Sequence, residues 1–172
     1  MRIFTVFVLA ALFSFSAAAT DPIAELKSLA PYAGVWQTVP MTGGSDKKFK
    51  DVQKWEWVFG GRAMRLTHSV NDGAYAGESL IHWDGAQQKI IYRYVNTETF
   101  YTDGVITPTG DGLEVREFVR GATTGPTESL SGYRIEDGKL IAWSKFKTNG
   151  KWGEIGTYIY ERAPDAALIF KD

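Results

Sequence analysis

Between residues 34 and 162 the chain is a series of short runs in which apolar positions recur at every second residue. Trp55, Trp57 and Phe59 show this spacing. A repeat of two is the repeat of a β-strand, whose side chains point alternately to the two faces of a sheet. Between the runs stand typical hairpin turns: Asn71-Asp72-Gly73, Asp84-Gly85, Asp137-Gly138 and Asn149-Gly150. The pattern therefore predicts antiparallel strands that follow one another in chain order.

About ten strands are predicted. They cover residues 35–39, 49–59, 62–70, 75–83, 89–95, 98–107, 113–120, 128–135, 139–147 and 151–162. An open sheet of this size would leave two unpaired edges, and closure into a barrel removes both. We therefore predict an all-β fold, an up-and-down antiparallel β-barrel. A β-sandwich is the alternative, but its crossing connections are longer than these tight turns.

A short helix is predicted before the first strand, over residues 21–30. Asp21 suits the N-cap, Pro22 suits the first helical position, and Pro31 ends the helix. One face carries the apolar residues Ile23, Leu26 and Leu29. Such a helix would plug one end of the barrel.

The first residues have the pattern of a secretory signal peptide. Met1-Arg2 is positively charged, residues 3–15 are almost entirely apolar, and Ser16-Ala17-Ala18-Ala19 supplies small residues for cleavage after Ala19. The apolar run is too short to span a bilayer. We expect a signal peptide over 1–19, one domain over 20–172, and a periplasmic or secreted protein.

Composition limits the chemistry. The chain has 172 residues, a formal net charge of −1 and no cysteine, so disulfides and thiol nucleophiles are excluded. A near-neutral charge argues against nucleic-acid binding. No H-x-H, H-E-x-x-H or G-x-S-x-G motif occurs, and neither a metal nor a cofactor is expected.

Three segments carry a resemblance to known proteins: Gly34-Val35-Trp36, Phe59-Gly60-Gly61-Arg62 and the run from Gly77 to Asp84. The first resembles the G-x-W opening of the calycin barrels, which include lipocalins and fatty-acid-binding proteins. Over residues 30–162 the chain resembles the bacterial lipocalin-like family of unknown function DUF1579. The resemblance implies a calycin-like barrel in which Arg162 packs on Trp36.

The resemblance extends to the haem-binding nitrobindin barrels, which place the haem-ligating histidine late in the chain. This sequence has no histidine after His82. Haem binding is therefore not expected.

Pairing the strands through their turns sorts the side chains into two faces. A two-residue loop at Asp72-Gly73 places His68 opposite Gly77. Across the next two turns, Ile81 would pair with Ile90, and Tyr92 would pair with Tyr101. The more apolar face is assigned to the interior, and it carries Met64, Leu66, His68, Ser79, Ile81, Ile90, Tyr92, Tyr94 and Tyr101.

The C-terminal hairpins are sorted in the same way. A two-residue turn at Asn149-Gly150 places Lys145 opposite Glu154. The predicted inner face carries Tyr133, Ile135, Leu140, Ala142, Ser144, Ile155, Thr157 and Ile159, and the outer face carries Arg134, Trp143, Lys145, Glu154 and Tyr158.

An interior of this composition suits a small hydrophobic or aromatic molecule held by a few polar contacts. The candidate ligand-binding residues are His68, Ser79, Tyr92, Tyr94 and Tyr101. His68 is also the candidate acid–base of a cofactor-free isomerase, lyase or hydrolase, with a tyrosine as its partner. A filled structural barrel with a satisfied core histidine is a further alternative. His82 is expected outside, and the direction of Glu117 stays open because it depends on the length of one turn.

Overall fold

The computed structural model describes residues 21–39 and 49–171. The predicted signal peptide lies outside the described residues. The strands are β1 Gly34–Thr38, β2 Asp51–Val58, β3 Ala63–Val70, β4 Tyr75–Asp84, β5 Lys89–Asn96, β6 Tyr101–Pro108, β7 Gly112–Arg120, β8 Glu128–Glu136, β9 Lys139–Thr148, β10 Lys151–Trp152 and β11 Gly156–Arg162.

The strands form a closed antiparallel barrel. From β1 to β9 each strand pairs with the next, and β11 pairs with both β9 and β1. The two-residue β10 pairs with the same edge of β9 as β11 does, so β10 and β11 together complete a barrel of ten strands. The predicted fold class, an all-β up-and-down barrel with a short N-terminal helix, is confirmed.

The helix before β1 differs from the prediction. It is a 3-10 helix over Ala24–Tyr32, Asp21 does not cap it, and Pro31 lies inside its last turn. The 3-10 helix has three residues per turn, which matches the spacing of Leu26, Leu29 and Tyr32, all of them buried. In the part of the chain that the structure describes, no helix has the length and apolar character needed to cross a membrane.

The helix fills one end of the barrel, which we call the closed end. Trp36 is fully buried there, and its indole N–H donates to the carbonyl oxygen of Tyr32 at 2.7 Å. The guanidinium carbon of Arg162 lies 3.7 Å from the centroid of the Trp36 ring system, and the group donates to the carbonyls of Pro31 and Ala33. Gly34 has φ +122°, and a side chain there would collide with Arg162. The G-x-W segment thus joins helix, first strand and last strand.

The register between β4, β5 and β6 departs from the prediction at two turns. Ile81 pairs with Tyr92 instead of Ile90, a shift of two residues that leaves the faces unchanged. Tyr92 pairs with Gly104 instead of Tyr101, an odd shift that exchanges the faces of β6. The predicted inward position of Tyr101 is therefore wrong. Tyr101 lies on the outer face, where the Arg93 guanidinium carbon is 4.7 Å from its ring centroid.

An extra residue reverses the faces of the last strand. β10 has the predicted register, with Trp152 opposite Lys147. Beyond Gly153 the chain gains one residue, so Ser144 pairs with Gly156 rather than with Ile155. Such a bulge moves every later side chain of the strand to the opposite face of the sheet. The predicted pair of Lys145 and Glu154 is absent from the described register. The inner face of β11 carries Tyr158 and Tyr160, and the predicted inward positions of Ile155, Thr157 and Ile159 are wrong: these three side chains are exposed.

Candidate functional site

A cavity of about 370 Å³ lies inside the barrel at the end opposite the 3-10 helix. We call this the open end. Its position follows from the residues around it, since Asp51 begins β2, Val70 ends β3 and Tyr75 begins β4. The polar and aromatic lining side chains are Phe49, Asp51, Gln53, His68, Tyr75, Ser79, Tyr94, Glu117, Ser129, Ser131, Tyr133, Trp143, Ser144, Phe146, Tyr158 and Tyr160.

The sizes of the described inward side chains explain why the cavity lies at this end of the barrel. At the closed end, Met64, Ile81 and Leu140 are almost fully buried against the helix. Toward the open end three inward positions of β8 and β9 are serines, namely Ser129, Ser131 and Ser144, and Ser131 pairs with Ser144. A barrel of ten strands is wide, and small inward residues leave part of its interior unfilled.

Asp51 is the centre of a buried hydrogen-bond network. Its side chain is 5% exposed. One carboxylate oxygen accepts from the Tyr160 hydroxyl at 2.8 Å and from the Gln53 amide at 3.0 Å. The other lies 3.3 Å from Nδ1 of His68. The backbone N–H of Asp51 donates to Thr38. The network joins four strands and holds one oxygen of the carboxylate against the imidazole.

His68 continues the network toward the rim. Its Nε2 lies 2.8 Å from the Tyr94 hydroxyl, which lies 2.7 Å from the Tyr75 hydroxyl. A carboxylate only accepts hydrogen bonds, so neutral His68 carries its hydrogen on Nδ1 and accepts at Nε2 from Tyr94. In that arrangement Tyr94 accepts from Tyr75, whereas with a hydrogen on Nε2 it accepts from His68 and donates to the Tyr75 hydroxyl. Protonation of Nε2 therefore reverses the direction of both hydrogen bonds made by the Tyr94 hydroxyl. The chain of Asp51, His68, Tyr94 and Tyr75 thus has two proton arrangements.

Glu117 faces the interior, which resolves the question left open by the sequence. Residues Val115 and Glu117 pair with Ser131 and Ser129, both of which line the cavity. The Glu117 carboxylate accepts from the Ser129 hydroxyl at 2.7 Å and from the Tyr92 hydroxyl. This second carboxylate is held by neutral donors.

The structure places the predicted site residues in three different locations. His68, Ser79 and Tyr94 line the main cavity. Tyr92 lies deeper, beside Glu117 in a small cavity of about 30 Å³. Tyr101 lies outside the barrel, and His82 is exposed on the outer face. Ligand binding by these residues stays a prediction.

Four side chains of the cavity are not predicted from the sequence: Asp51, Gln53, Tyr75 and Tyr160. A signal for the first two was present. Trp55 is an inward residue, and Gln53 and Asp51 precede it at intervals of two, so all three share a face. The inward direction of Tyr160 is not predicted, because no local sequence pattern marks the bulge in the last hairpin.

Burial changes the acidity of the interior tyrosines. Desolvation, with a smaller effect from Asp111, raises the pKa of Tyr32 to about 12. Desolvation followed by the charge of Asp51 raises the pKa of Tyr160 far above its ordinary value. Burial and the Tyr75 hydroxyl do the same to the pKa of Tyr94. These hydroxyls therefore stay protonated and act as neutral donors near pH 7.

Stability is expected to fall steeply above pH 10. An unfolded chain releases its tyrosine protons near pH 10, whereas folded Tyr160 and Tyr94 keep theirs because their pKa values are raised. Each such group makes the unfolding free energy fall by about 1.4 kcal/mol per pH unit between the two pKa values. Urea unfolding between pH 8 and 12 measures how steeply the unfolding free energy falls with pH. Tyr160→Phe should make this slope shallower by about 1.4 kcal/mol per pH unit, the effect of one proton. A slope unchanged by this substitution would contradict the assignment.

Gly77→Ala is expected to displace Tyr94 from His68. The ring of Tyr94 lies directly over Gly77, and an added Cβ would overlap with it. We expect a loss of about 1–3 kcal/mol in unfolding free energy. Gly85→Ala is the control, since Gly85 has no atom within 4 Å of an added Cβ, and it should change stability by less than about 0.5 kcal/mol. Equal effects in the two variants, measured by urea unfolding, would refute the packing argument.

Comparison with protein-family models and with curated proteins gives no match for this chain. The barrel architecture agrees with a calycin-like fold, and the resemblance to lipocalins and to DUF1579 stays an expectation. Within residues 21–39 and 49–171, no group of three or more metal-binding side chains comes together.

Proposed function

We propose that this barrel binds a small molecule with a hydrophobic or aromatic body in the cavity at its open end. The observation that carries the proposal is the cavity itself, about 370 Å³ in volume and lined by both aromatic rings and hydroxyl groups. Binding sites for small molecules are cavities of this size in which a few polar groups fix an otherwise apolar ligand.

The distribution of burial supports this proposal over a filled barrel. Inward side chains at the closed end are almost inaccessible, as Met64 and Leu140 show. Inward side chains at the open end, among them His68, Tyr94 and Ser131, keep part of their surface accessible. These side chains border the cavity, so a ligand in it would add contacts to them.

Native mass spectrometry of the protein purified from its own cells tests the proposal. We expect a bound small molecule that is absent from Ser131→Trp, a variant whose indole would occupy the cavity. Ser129 is buried, so Ser131 is the better site for a large residue. Spectra in which wild type and variant each show only the apo mass, together with no ligand-dependent rise in melting temperature across a fragment library, would refute the proposal.

We also propose that the protein is exported, on the basis of the signal-peptide pattern in residues 1–19. The intact mass of the purified protein tests this directly. Cleavage after Ala19 would give a chain that begins at Thr20. A chain that retains Met1 would contradict export by this route.

A second candidate function is acid–base catalysis without a cofactor, and one observation favours it. The chain Asp51–His68–Tyr94–Tyr75 places a carboxylate behind an imidazole, and a hydroxyl between the imidazole and the rim. Catalytic histidines are oriented by a carboxylate in this way. Tyr75 at the end of the chain would exchange a proton with the bound molecule.

Metabolite profiling separates catalysis from binding alone. Purified protein is incubated with a metabolite extract, and the change in each mass is compared between wild type and His68→Gln. Catalysis predicts masses that wild type consumes and the variant leaves, although the variant still binds ligand. Equal profiles for wild type, variant and buffer would reject the enzyme.

A further inference from the structure

The charged groups that line the cavity are mostly of one sign. The lining contains two carboxylates, Asp51 and Glu117, and one imidazole, His68. Among the described residues that line it, none is lysine or arginine. Lysines and arginines of the barrel instead form ion pairs on the outer face, such as Arg65 with Glu56.

The imidazole can balance only one of the carboxylates. His68 lies beside Asp51, with Nδ1 at 3.3 Å from the carboxylate. Glu117 forms no ion pair within residues 21–39 and 49–171. Its hydrogen-bond donors, Tyr92 and Ser129, are neutral. Hydroxyl donors stabilise a carboxylate but do not cancel its charge, so with both carboxylates ionised the described lining carries a net negative charge even when His68 is protonated.

A cation in this cavity would meet two favourable environments. Glu117 would supply an opposite charge in a partly buried place, where charge pairs interact more strongly than at the surface. The rings of Tyr75, Tyr133 and Tyr158 also line the cavity, and aromatic faces attract ammonium groups. An anionic ligand would meet repulsion from Glu117 without a lysine or arginine in the described lining to offset it.

We propose that the molecule bound in this cavity is an organic amine, whose protonated nitrogen pairs with Glu117 and whose apolar or aromatic body lies against the tyrosines. The inference rests on the proposed binding function and specifies the class of ligand. It makes Glu117 the residue that determines charge selectivity.

Three probes of equal size test the charge: 2-phenylethylamine, 2-phenylethanol and phenylacetate. Their dissociation constants are measured at pH 7 by NMR titration of the labelled protein. We expect the amine to bind at least tenfold more tightly than the alcohol, and phenylacetate to bind most weakly. Binding of the alcohol or of phenylacetate as tight as that of the amine would overturn the inference. This comparison uses the wild-type protein and needs no variant.

Glu117→Gln then tests the residue. The substitution keeps the size of the side chain and removes its charge, while one of the two accepting oxygens becomes an NH₂ group that donates to a hydroxyl turned to accept. We expect the affinities of amine and alcohol to fall within about threefold of each other in this variant. Glu114→Gln is the matched control, because Glu114 is exposed on the outer face of the same strand, and it should keep the wild-type preference. If Glu117→Gln still prefers the amine to the alcohol, Glu117 is not the residue that determines charge selectivity.

Failure of the inference can be told apart from failure of the binding function. If the native mass spectrum shows a bound molecule while the probes show no preference for the amine, the cavity binds ligands but does not select cations. If neither the spectrum nor any probe shows binding, both proposals fail.

Discussion

Trp36→Ala is expected to lower the free energy of unfolding by about 3–5 kcal/mol, the usual cost of removing a buried large aromatic side chain. Trp36 is fully buried, and three elements converge on it. Its ring supports the guanidinium of Arg162, and its N–H binds the last turn of the 3-10 helix. The loss therefore combines a cavity in the core with a weakened attachment of helix and last strand. Urea unfolding followed by circular dichroism measures it.

Trp152→Ala is the matched control for this substitution. Trp152 is 39% exposed in the short strand β10, and its contacts are with the ammonium groups of Lys145 and Lys147. Exposed cation–π contacts contribute about 0.5–1 kcal/mol, so we expect a loss of about 1 kcal/mol or less. If the two tryptophans had equal effects, Trp36 would not be the residue that closes the barrel.

Asp51→Ala is expected to have the next largest effect, a loss of about 3 kcal/mol. The substitution leaves three donors without their acceptor: the buried groups of Gln53 and Tyr160, and the partly buried imidazole of His68. Each unsatisfied group costs about 1–3 kcal/mol, and water that enters from the cavity offsets part of that cost. Asp103→Ala serves as control, because Asp103 pairs with Arg93 on the outer face, where ion pairs contribute at most about 1 kcal/mol.

Asp51→Asn tests the orientation of the imidazole separately from stability. An asparagine can turn its oxygen toward Tyr160 and its NH₂ group toward His68. Nδ1 of neutral His68 would then accept a hydrogen bond, and the hydrogen would move to Nε2. Nitrogen-15 chemical shifts of the ring distinguish the two tautomers. We expect the tautomer to change between wild type and variant. An unchanged tautomer would show that Asp51 does not orient His68, and a loss for Asp51→Ala as small as that of Asp103→Ala would show that the network contributes little.

The features of the fold that can be predicted are those determined by residues close together in the sequence. Turn signals and alternation locate the strands to within a few residues, and closure follows from the number of strands. The predicted face of a strand is correct where the predicted register matches the observed one. It is also correct where the two registers differ by an even number of residues. Thus His68, Ser79 and Tyr94 share a face as predicted, although the β4–β5 pairing is shifted by two residues.

The faces that could not be predicted lie beyond an odd change in register. One such change reverses Tyr101, and the bulge after Gly153 reverses Tyr158 and Tyr160. Both depend on how the backbone accommodates closure of the barrel, which is a property of the whole sheet. Alternation alone does not contain that information.

The polar network was harder to predict for a different reason. Asp51, His68, Tyr94 and Tyr160 come from four strands, and the hydrogen bond between Tyr160 and Asp51 spans 109 residues of sequence. Contacts of this range follow from closure between β1 and β11 and from register at every intervening turn. The sequence does supply the side chains, but their meeting point is defined only in the finished barrel.

The central claim is that the cavity at the open end binds a small molecule. The most direct measurement is an NMR titration of the labelled protein with small aromatic compounds, with Ser131→Trp titrated in parallel. We expect saturable shifts of the amides around the cavity, those of His68, Ser79 and Tyr94 among them, and the loss of these shifts in Ser131→Trp. The claim would be contradicted if no compound shifted these amides at millimolar concentration, or if the same shifts persisted in Ser131→Trp.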